Sequence, residues 1–293
     1  MTERRPFCSD ISRDNGEQLG ATASRIDRWF LIEYRSLWTR DALAGSGLSD
    51  QVKAHLRAQV RSVENSRLVF IRRPDRRRVE SLVAFAVDSR HGHERVRKVE
   101  LGAHEELRSL DLTDASAGDE LDHPLFLVCT HGKHDPCCAR YGRPLYDGLF
   151  EEAEADWVWQ TTHIGGDRFA GNVVCLPEGI YYGRAEREDA PRIVDEHLAR
   201  RVVLDRYRGR SIYPFAVQAA ERALREQTQL FGLDDLVLRT AEHDGGTWLV
   251  AFEAGGVTHR AEVREETGDL TYLTCNAETV KRPTRYVVTS RPG

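Results

Sequence analysis

Cys129-Thr-His-Gly-Lys-His-Asp-Pro-Cys137-Cys138 and His163-Ile-Gly165-Gly166-Asp167-Arg-Phe169-Ala-Gly171-Asn172 are two polar loops set into apolar sequence between Pro124 and Arg184. Each follows a run that reads as a buried strand, Leu125-Phe-Leu-Val128 for the first and Trp157-Val-Trp159 for the second. A strand end holds a side chain rigidly at a surface while leaving it reachable. Thiol and imidazole donors gathered at two such ends point to a metal site rather than a hydrolytic one.

The spacing narrows the chemistry. Residues 130–137 separate Cys129 from Cys138, too many for the Cys-x-x-Cys pair of a zinc knuckle or a thiol oxidoreductase. A loop of this length, with Gly132 and Pro136 to help it turn, can still fold back and present both thiolates to one centre. His163 and Asp167 lie four apart across Gly165-Gly166, and the glycines permit a backbone path that aims both side chains at one point.

Outward from these loops the chain alternates strands and helices. Pro144 to Ala155 reads as a helix, and Phe169 to Tyr182 as two strands joined by the tight Pro177-Glu-Gly179 turn. Strand, helix, strand and hairpin in that order match the second half of a thioredoxin-like fold. Upstream, Arg28 to Tyr34, Arg67 to Ile71, Val79 to Val87 and Lys98 to Leu101 read as strands. Ser49 caps a helix carrying Val52, Leu56, Val60 and Val63 on one face. The acidic stretch Asp111 to Asp122 reads as a linker. Downstream, Pro191 to Arg201 and Pro214 to Leu230 read as helices. Trp248 to Phe252, Thr258 to Val263 and Leu270 to Leu273 read as a three-stranded meander. The expected architecture is α/β, α+β overall: an N-terminal α/β domain over 1–115, a thioredoxin-like domain over 120–205 and a small α+β appendage over 206–293. No internal repeat is visible.

The 293 residues are 40% hydrophobic and 30% charged, with a net charge of −5, an ordinary globular balance. Nothing in it recommends nucleic acid or an anionic membrane as partner. The densest basic run, Arg72-Arg-Pro-Asp-Arg-Arg-Arg78, reads as a solvated loop, with a docking patch as the alternative. The N-terminus carries no signal-peptide pattern, and no apolar window is long enough to span a membrane. Six cysteines without an export signal point to the reducing cytoplasm, where clustered cysteines are more often metal-binding or catalytic than disulfide-bonded. No phosphate-binding glycine loop, nucleophile elbow or carboxylate pair for glycoside hydrolysis is present.

The two loops, Phe169-Ala-Gly-Asn172 and the Pro177-Glu-Gly-Ile-Tyr-Tyr-Gly-Arg184 hairpin together resemble the sucrase/ferredoxin-like family of thioredoxin-like ferredoxins. Cys8-Ser-Asp-Ile-Ser and Arg206-Tyr-Arg-Gly-Arg-Ser211 extend the resemblance. It implies a [2Fe–2S] cluster held by two cysteines of the first loop and two histidines of a His-x-Gly-Gly-His motif, a Rieske-like ligand set on another fold. Carried over, Cys129 and Cys138 hold one iron and His163 the other. Cys137 matches a frequent family cysteine but is not a ligand. Asp167 stands where the family has its second histidine. A carboxylate can ligate ferric iron, and its charge would favour the oxidised state. His131, His134 or water are alternative fourth ligands, and loss of the cluster is a further one.

The function this implies is single-electron transfer with a redox partner protein, a reductase or an electron acceptor, rather than an enzyme in its own right. Two other classes stand beside it. One is a thiol oxidoreductase using Cys129 with Cys138, or Cys137 with Cys138, activated by Lys133, His131 or His134. The other is a binding module with structural zinc held by two cysteines, a histidine and an aspartate. Cys175 reads as core, and Cys8 and Cys275 have no spaced partner. Trp157 and Trp159 read as core supports, Phe169 as packing beneath the second loop, and Arg168 as a balancing or a solvated charge.

Overall fold

The protein is described from a computed structural model covering residues 5–73, 81–114 and 116–291. A short helix α1 (Cys8–Asp14) precedes strand β1 (Arg28–Glu33). Helix α2 (Asp50–Ser62) follows, with Ser49 accepting from Val52 N–H at its start. Strands β2 (Ser66–Arg72), β3 (Leu82–Asp88) and β4 (Arg95–Leu101) complete a first unit. β1 and β2 run parallel with α2 as crossover, β3 pairs antiparallel on the other side of β1, and β4 pairs antiparallel with β3.

After the short edge strand β5 (Asp119–Leu121) the same path repeats. β6 (Leu125–Cys129), α3 (Pro136–Glu152) and β7 (Val158–Thr161) form a parallel crossover. β8 (Val173–Leu176) and β9 (Ile180–Tyr182) then form an antiparallel hairpin beside β6, and α4 (Ala190–Leu198) closes the unit. The order β9-β8-β6-β7, with its terminal helix, is the complete thioredoxin-like path, and β4-β3-β1-β2 traces its strands a second time. The equivalent strands β2 and β7 pair antiparallel at Ile71–Thr161 and Arg72–Gln160, the arrangement of a local two-fold axis. The repeat is one of topology and leaves no trace of repeated sequence.

Segments 1–115 and 120–205 therefore share one ten-stranded sheet, and β10 (Tyr207–Arg210) adds to its far edge beside β9. Alternate residues sort the faces. Phe126 and Val128 pack under α3 and α4, and Phe30, Ile32 and Phe70 under α2. Leu125, Leu127 and Cys129 face the other side, in one cluster with Trp29, Leu31, Val69, Phe85, Trp159 and Tyr181. Trp29 of β1 reaches Tyr181 of β9 at 6.1 Å between ring centres, although four strands lie between them, so the twisted sheet curls over its inner core. Helix α5 (Phe215–Thr228) packs on a separate antiparallel sheet of β11 (Val237–Asp244), β12 (Thr247–Ala254), β13 (Val257–Thr267) and β14 (Thr284–Arg291).

Several elements differ from expectation. α3 begins at Pro136, eight residues before Pro144, which lies inside it. Residues 167–169 form a short 3-10 turn, and the strand starts only at Val173. Leu270 to Leu273 forms no strand beyond one bridge, Thr271 to Lys281; β11 and β14 make the C-terminal sheet four-stranded. The linker carries β5, paired with β4. Of the arginine run, residues 74–78 lie outside the described residues. Arg72 is structured, stacking on Trp38 at 4.0 Å and donating to Gln160 Oε1 at 2.8 Å.

Candidate metal centre

β6 delivers Cys129 to its C-terminal end, buried on the inner face. The chain then turns within one tight loop: His134 and Asp135 N–H both bond back to His131 C=O. Asp135 caps α3 by accepting from Cys137 N–H at 2.9 Å, and Pro136 occupies a first-turn position where its missing N–H costs nothing. Cys138 thus sits in the first turn of α3, back over Cys129. Gly142, one turn further, makes this return possible. A Cβ there would lie 2.0 Å from Cys129 C=O, so the helix rests directly on the loop's backbone.

The second loop leaves β7 at Thr161, which lies beside Cys129 in the parallel ladder. Gly165 and Gly166 adopt φ of +102° and +83°, conformations that side chains disfavour. There is also no room for a side chain, since a Cβ on Gly166 would meet Arg208 Nη2 at 2.4 Å. Arg208, fully buried, donates to Gly165 C=O at 3.0 Å and to Asn172 Oδ1 at 2.8 Å. Asn172 in turn donates to Gly166 C=O at 2.8 Å. This clamp fixes the glycine turn and throws Asp167 back toward His163.

The donors converge. One ligand atom each from Cys129, Cys138 and His163 lie within 4.8 Å of one another, and the same holds for His134, His163 and Asp167. Asp167 Oδ1 lies 2.9 Å from His163 Nδ1 and 3.3 Å from Cys138 Sγ, and its Oδ2 is 3.8 Å from His134 Nε2. His134 stacks on His163 with ring centres 3.9 Å apart. His163 Nδ1 is buried yet has no hydrogen-bond partner in line, because its close contact to Asp167 is off the N–H direction. An orphaned ring nitrogen among two thiols and a carboxylate suits metal ligation.

Charges are coupled across the cluster. The interaction between the two buried thiols drives the Cys129 thiol down and the Cys138 thiol up; burial opposes the first shift and reinforces the second. Burial by itself would favour neutral His163, but Asp167 and Cys129 outweigh it and raise its pKa to about 9. Burial would likewise raise Asp167, and the close contact with His163 and its charge hold the carboxyl low instead.

All four expected site residues, Cys129, Cys138, His163 and Asp167, are brought together. His131 is spent elsewhere: its Nε2 donates to Thr39 C=O at 2.7 Å and its Nδ1 accepts from His163 N–H at 3.4 Å, so neither nitrogen is free. Burial keeps that ring neutral. Cys137 points away from Cys138 into a different group of cysteines, which leaves the vicinal dithiol without geometric support. Lys133 is exposed, Arg168 pairs with Glu17 at 2.7 Å, and Phe169 packs beneath Arg168 and Arg208. Arg208 is the residue that sequence reasoning missed; an arginine in a short strand motif carries no sign of full burial. The histidine side of the centre opens on a cleft of about 600 Å³ lined by Arg40, Asp41, Arg67, Phe70, His134 and His163.

The chain is similar to known proteins over part of its length. Altered inheritance of mitochondria protein 32 of Meyerozyma guilliermondii is 35% identical over 112 residues, 34% of this chain and 38% of that protein. Its counterpart in Debaryomyces hansenii is 31% identical over 115 residues, 36% of this chain and 40% of that protein. The match thus spans well under half the length of these curated relatives. A thioredoxin-like [2Fe–2S] ferredoxin from Aquifex aeolicus shares 21% identity over 32% of this chain and 97% of its own, with a TM-score of 0.28, too low to bear on the reading. The sequence model of the sucrase/ferredoxin-like family matches residues 19–209, which takes in the curled sheet and both loops; the chain belongs to that family.

Proposed function

We propose that this protein is a single-electron carrier whose [2Fe–2S] cluster is held by Cys129 and Cys138 on one iron and by His163 and Asp167 on the other. The convergence of two buried thiols, an orphaned imidazole nitrogen and a buried carboxylate at the ends of β6 and β7 carries this reading. When bound, such a cluster accepts and returns one electron. The chain's own residues bind it, exclude water through the inner core and set its charge. Asp167 adds a negative charge where a neutral imidazole would add none, which lowers the potential and removes one proton-coupled ligand. The cleft beside His134 and His163, flanked by Arg40 and Arg67, would be the place where a protein redox partner docks. Among the described residues no helix is long and apolar enough to cross a membrane. The six cysteines are all unpaired thiols, which fits a reducing cytoplasm.

The test is the visible spectrum of anaerobically purified protein with iron and acid-labile sulfide quantified. Absorption between roughly 400 and 600 nm with about two irons and two sulfides per chain is expected. Cys129→Ser and Cys138→Ser are each expected to abolish it; unchanged iron in both would overturn the ligand assignment. A second reading has its own observation. The 3.3 Å between Cys138 Sγ and Asp167 Oδ1 is the spacing of two ligands on a single ion. Colourless protein holding one zinc at these residues would favour that site, and colourless metal-free protein with two reactive thiols the dithiol chemistry of Cys129 and Cys138.

A further inference from the structure

The three remaining clustered cysteines, none of them part of the centre above, come from the two ends of the chain and its middle. Cys8 opens α1, Cys137 lies in the first turn of α3, and Cys275 sits in the loop between β13 and β14. Their sulfurs form a nearly equilateral triangle: Cys137 to Cys275 is 3.3 Å, Cys8 to Cys137 is 3.6 Å, and Cys8 to Cys275 is 3.6 Å. Three thiolates on one tetrahedral zinc at about 2.3 Å would stand about 3.8 Å apart. A disulfide requires about 2.05 Å and would leave one thiol over.

The surroundings are built for sulfur anions. Ser9 Oγ–H donates to Cys137 Sγ at 3.0 Å, and Cys8 N–H donates to Cys275 Sγ at 3.4 Å. Asp135 is fully buried with a carboxylate oxygen within reach of all three sulfurs. Its two oxygens accept from Cys137 N–H at 2.9 Å and Cys275 N–H at 2.6 Å, which locks the carboxylate against two of the three cysteine backbones. Cys8 and Cys137 are buried beside Ala170, and only Cys275 is partly open, giving an ion a route in.

We propose that Cys8, Cys137, Cys275 and Asp135 form a second, mononuclear zinc site. Binding replaces three S–H bonds by three Zn–S bonds and releases three protons to solvent, with no change of oxidation state. The ion staples the N-terminal helix and the C-terminal loop to the first turn of α3, one peptide bond from Cys138. It is independent of what the first centre holds.

Full-length protein, prepared anaerobically and reduced, is incubated with one equivalent of Zn²⁺ and freed of loose metal by gel filtration; zinc and iron are then quantified together. One zinc per chain is expected. Cys8→Ser and Cys275→Ser are expected to lose it while keeping the iron and visible bands, and Cys129→Ser to keep it while losing them. Asp135→Asn, which preserves the helix cap, is expected to weaken zinc binding about 10–100-fold. Should the serine variants fail to fold, Co²⁺ substituted into the wild type must show sulfur-to-metal charge-transfer bands that Zn²⁺ displaces. Wild type that retains no zinc, zinc lost only from Cys129→Ser, or a Cys137–Cys275 disulfide surviving reduction would each overturn the site. Zinc retained without iron, kept in Cys129→Ser and lost from Cys8→Ser and Cys275→Ser, would leave this site standing and sink the electron-carrier reading instead.

Discussion

At the scale of single residues, Asp167 decides what kind of centre this is. It is buried, and three titratable neighbours touch it: His163 at 2.9 Å, Cys138 at 3.3 Å and His134 at 3.8 Å. A carboxylate so placed supplies charge that an imidazole does not. Asp167→His is therefore expected to raise the reduction potential, on the order of 100 mV, and to make it more pH-dependent. Protein-film voltammetry across pH 6 to 9 measures both; an unchanged potential and spectrum would show that Asp167 is not a ligand. The positions of Cys129, Cys138, His163 and Asp167 were legible because each follows a strand or a glycine turn that the sequence advertises. The His134–His163 stack and the diversion of His131 to Thr39 C=O were not, since the first depends on how the two donor loops meet and the second on where a loop around residue 39 comes to rest.

At the scale of elements, α3 carries the site. Pro144 read as the start of a helix because proline is common there, but Pro136 with the Asp135 cap offers the same signal earlier, and the structure uses that one. Pro144 lies inside the helix, where its missing N–H leaves without an intrahelical partner the carbonyl four residues back, that of the exposed residue Arg140. Starting eight residues earlier is what puts Cys138 in a helix's first turn and sends Cys137 and Cys138 to different clusters. The contact of Gly142 with Cys129 C=O holds that geometry. Gly142→Ala gains helix propensity but must push α3 off the loop, and a net loss of about 1–3 kcal/mol is expected in urea unfolding, with weakened metal retention. Undiminished stability and metal content would show that the close approach is not needed.

At the scale of the whole molecule, one curled sheet joins two thioredoxin-like units, and long-range ion pairs tie its margins. Glu178, in the turn between β8 and β9, is buried against His197 of α4 at 3.4 Å and Arg200 at 3.1 Å. Burial would raise its pKa, but the interaction with His197, helped by Arg200, overcomes it and lowers the value to about 2. The folded value lies below the ordinary 4.5, so its stabilisation is complete above that pH and lost as pH falls toward 2. Chemical denaturation at pH 5 and pH 2 is expected to show about 3 kcal/mol of acid-dependent loss that Glu178→Gln lacks. Equal losses in both would remove the assignment.

The sequence by itself determined the local alternation of strands and helices, the two donor loops and the thioredoxin-like path of the central segment, because periodicity, caps and glycine turns act over a few residues. Only the tertiary structure decided that the N-terminal segment repeats that path and that β2 and β7 weld the two into one sheet. It also decided that Cys8 and Cys275, which showed no partner along the chain, meet at Cys137. Those outcomes rest on pairing between residues tens to hundreds of positions apart, where hydrogen-bonding edges and buried surfaces choose partners without leaving a spacing to read.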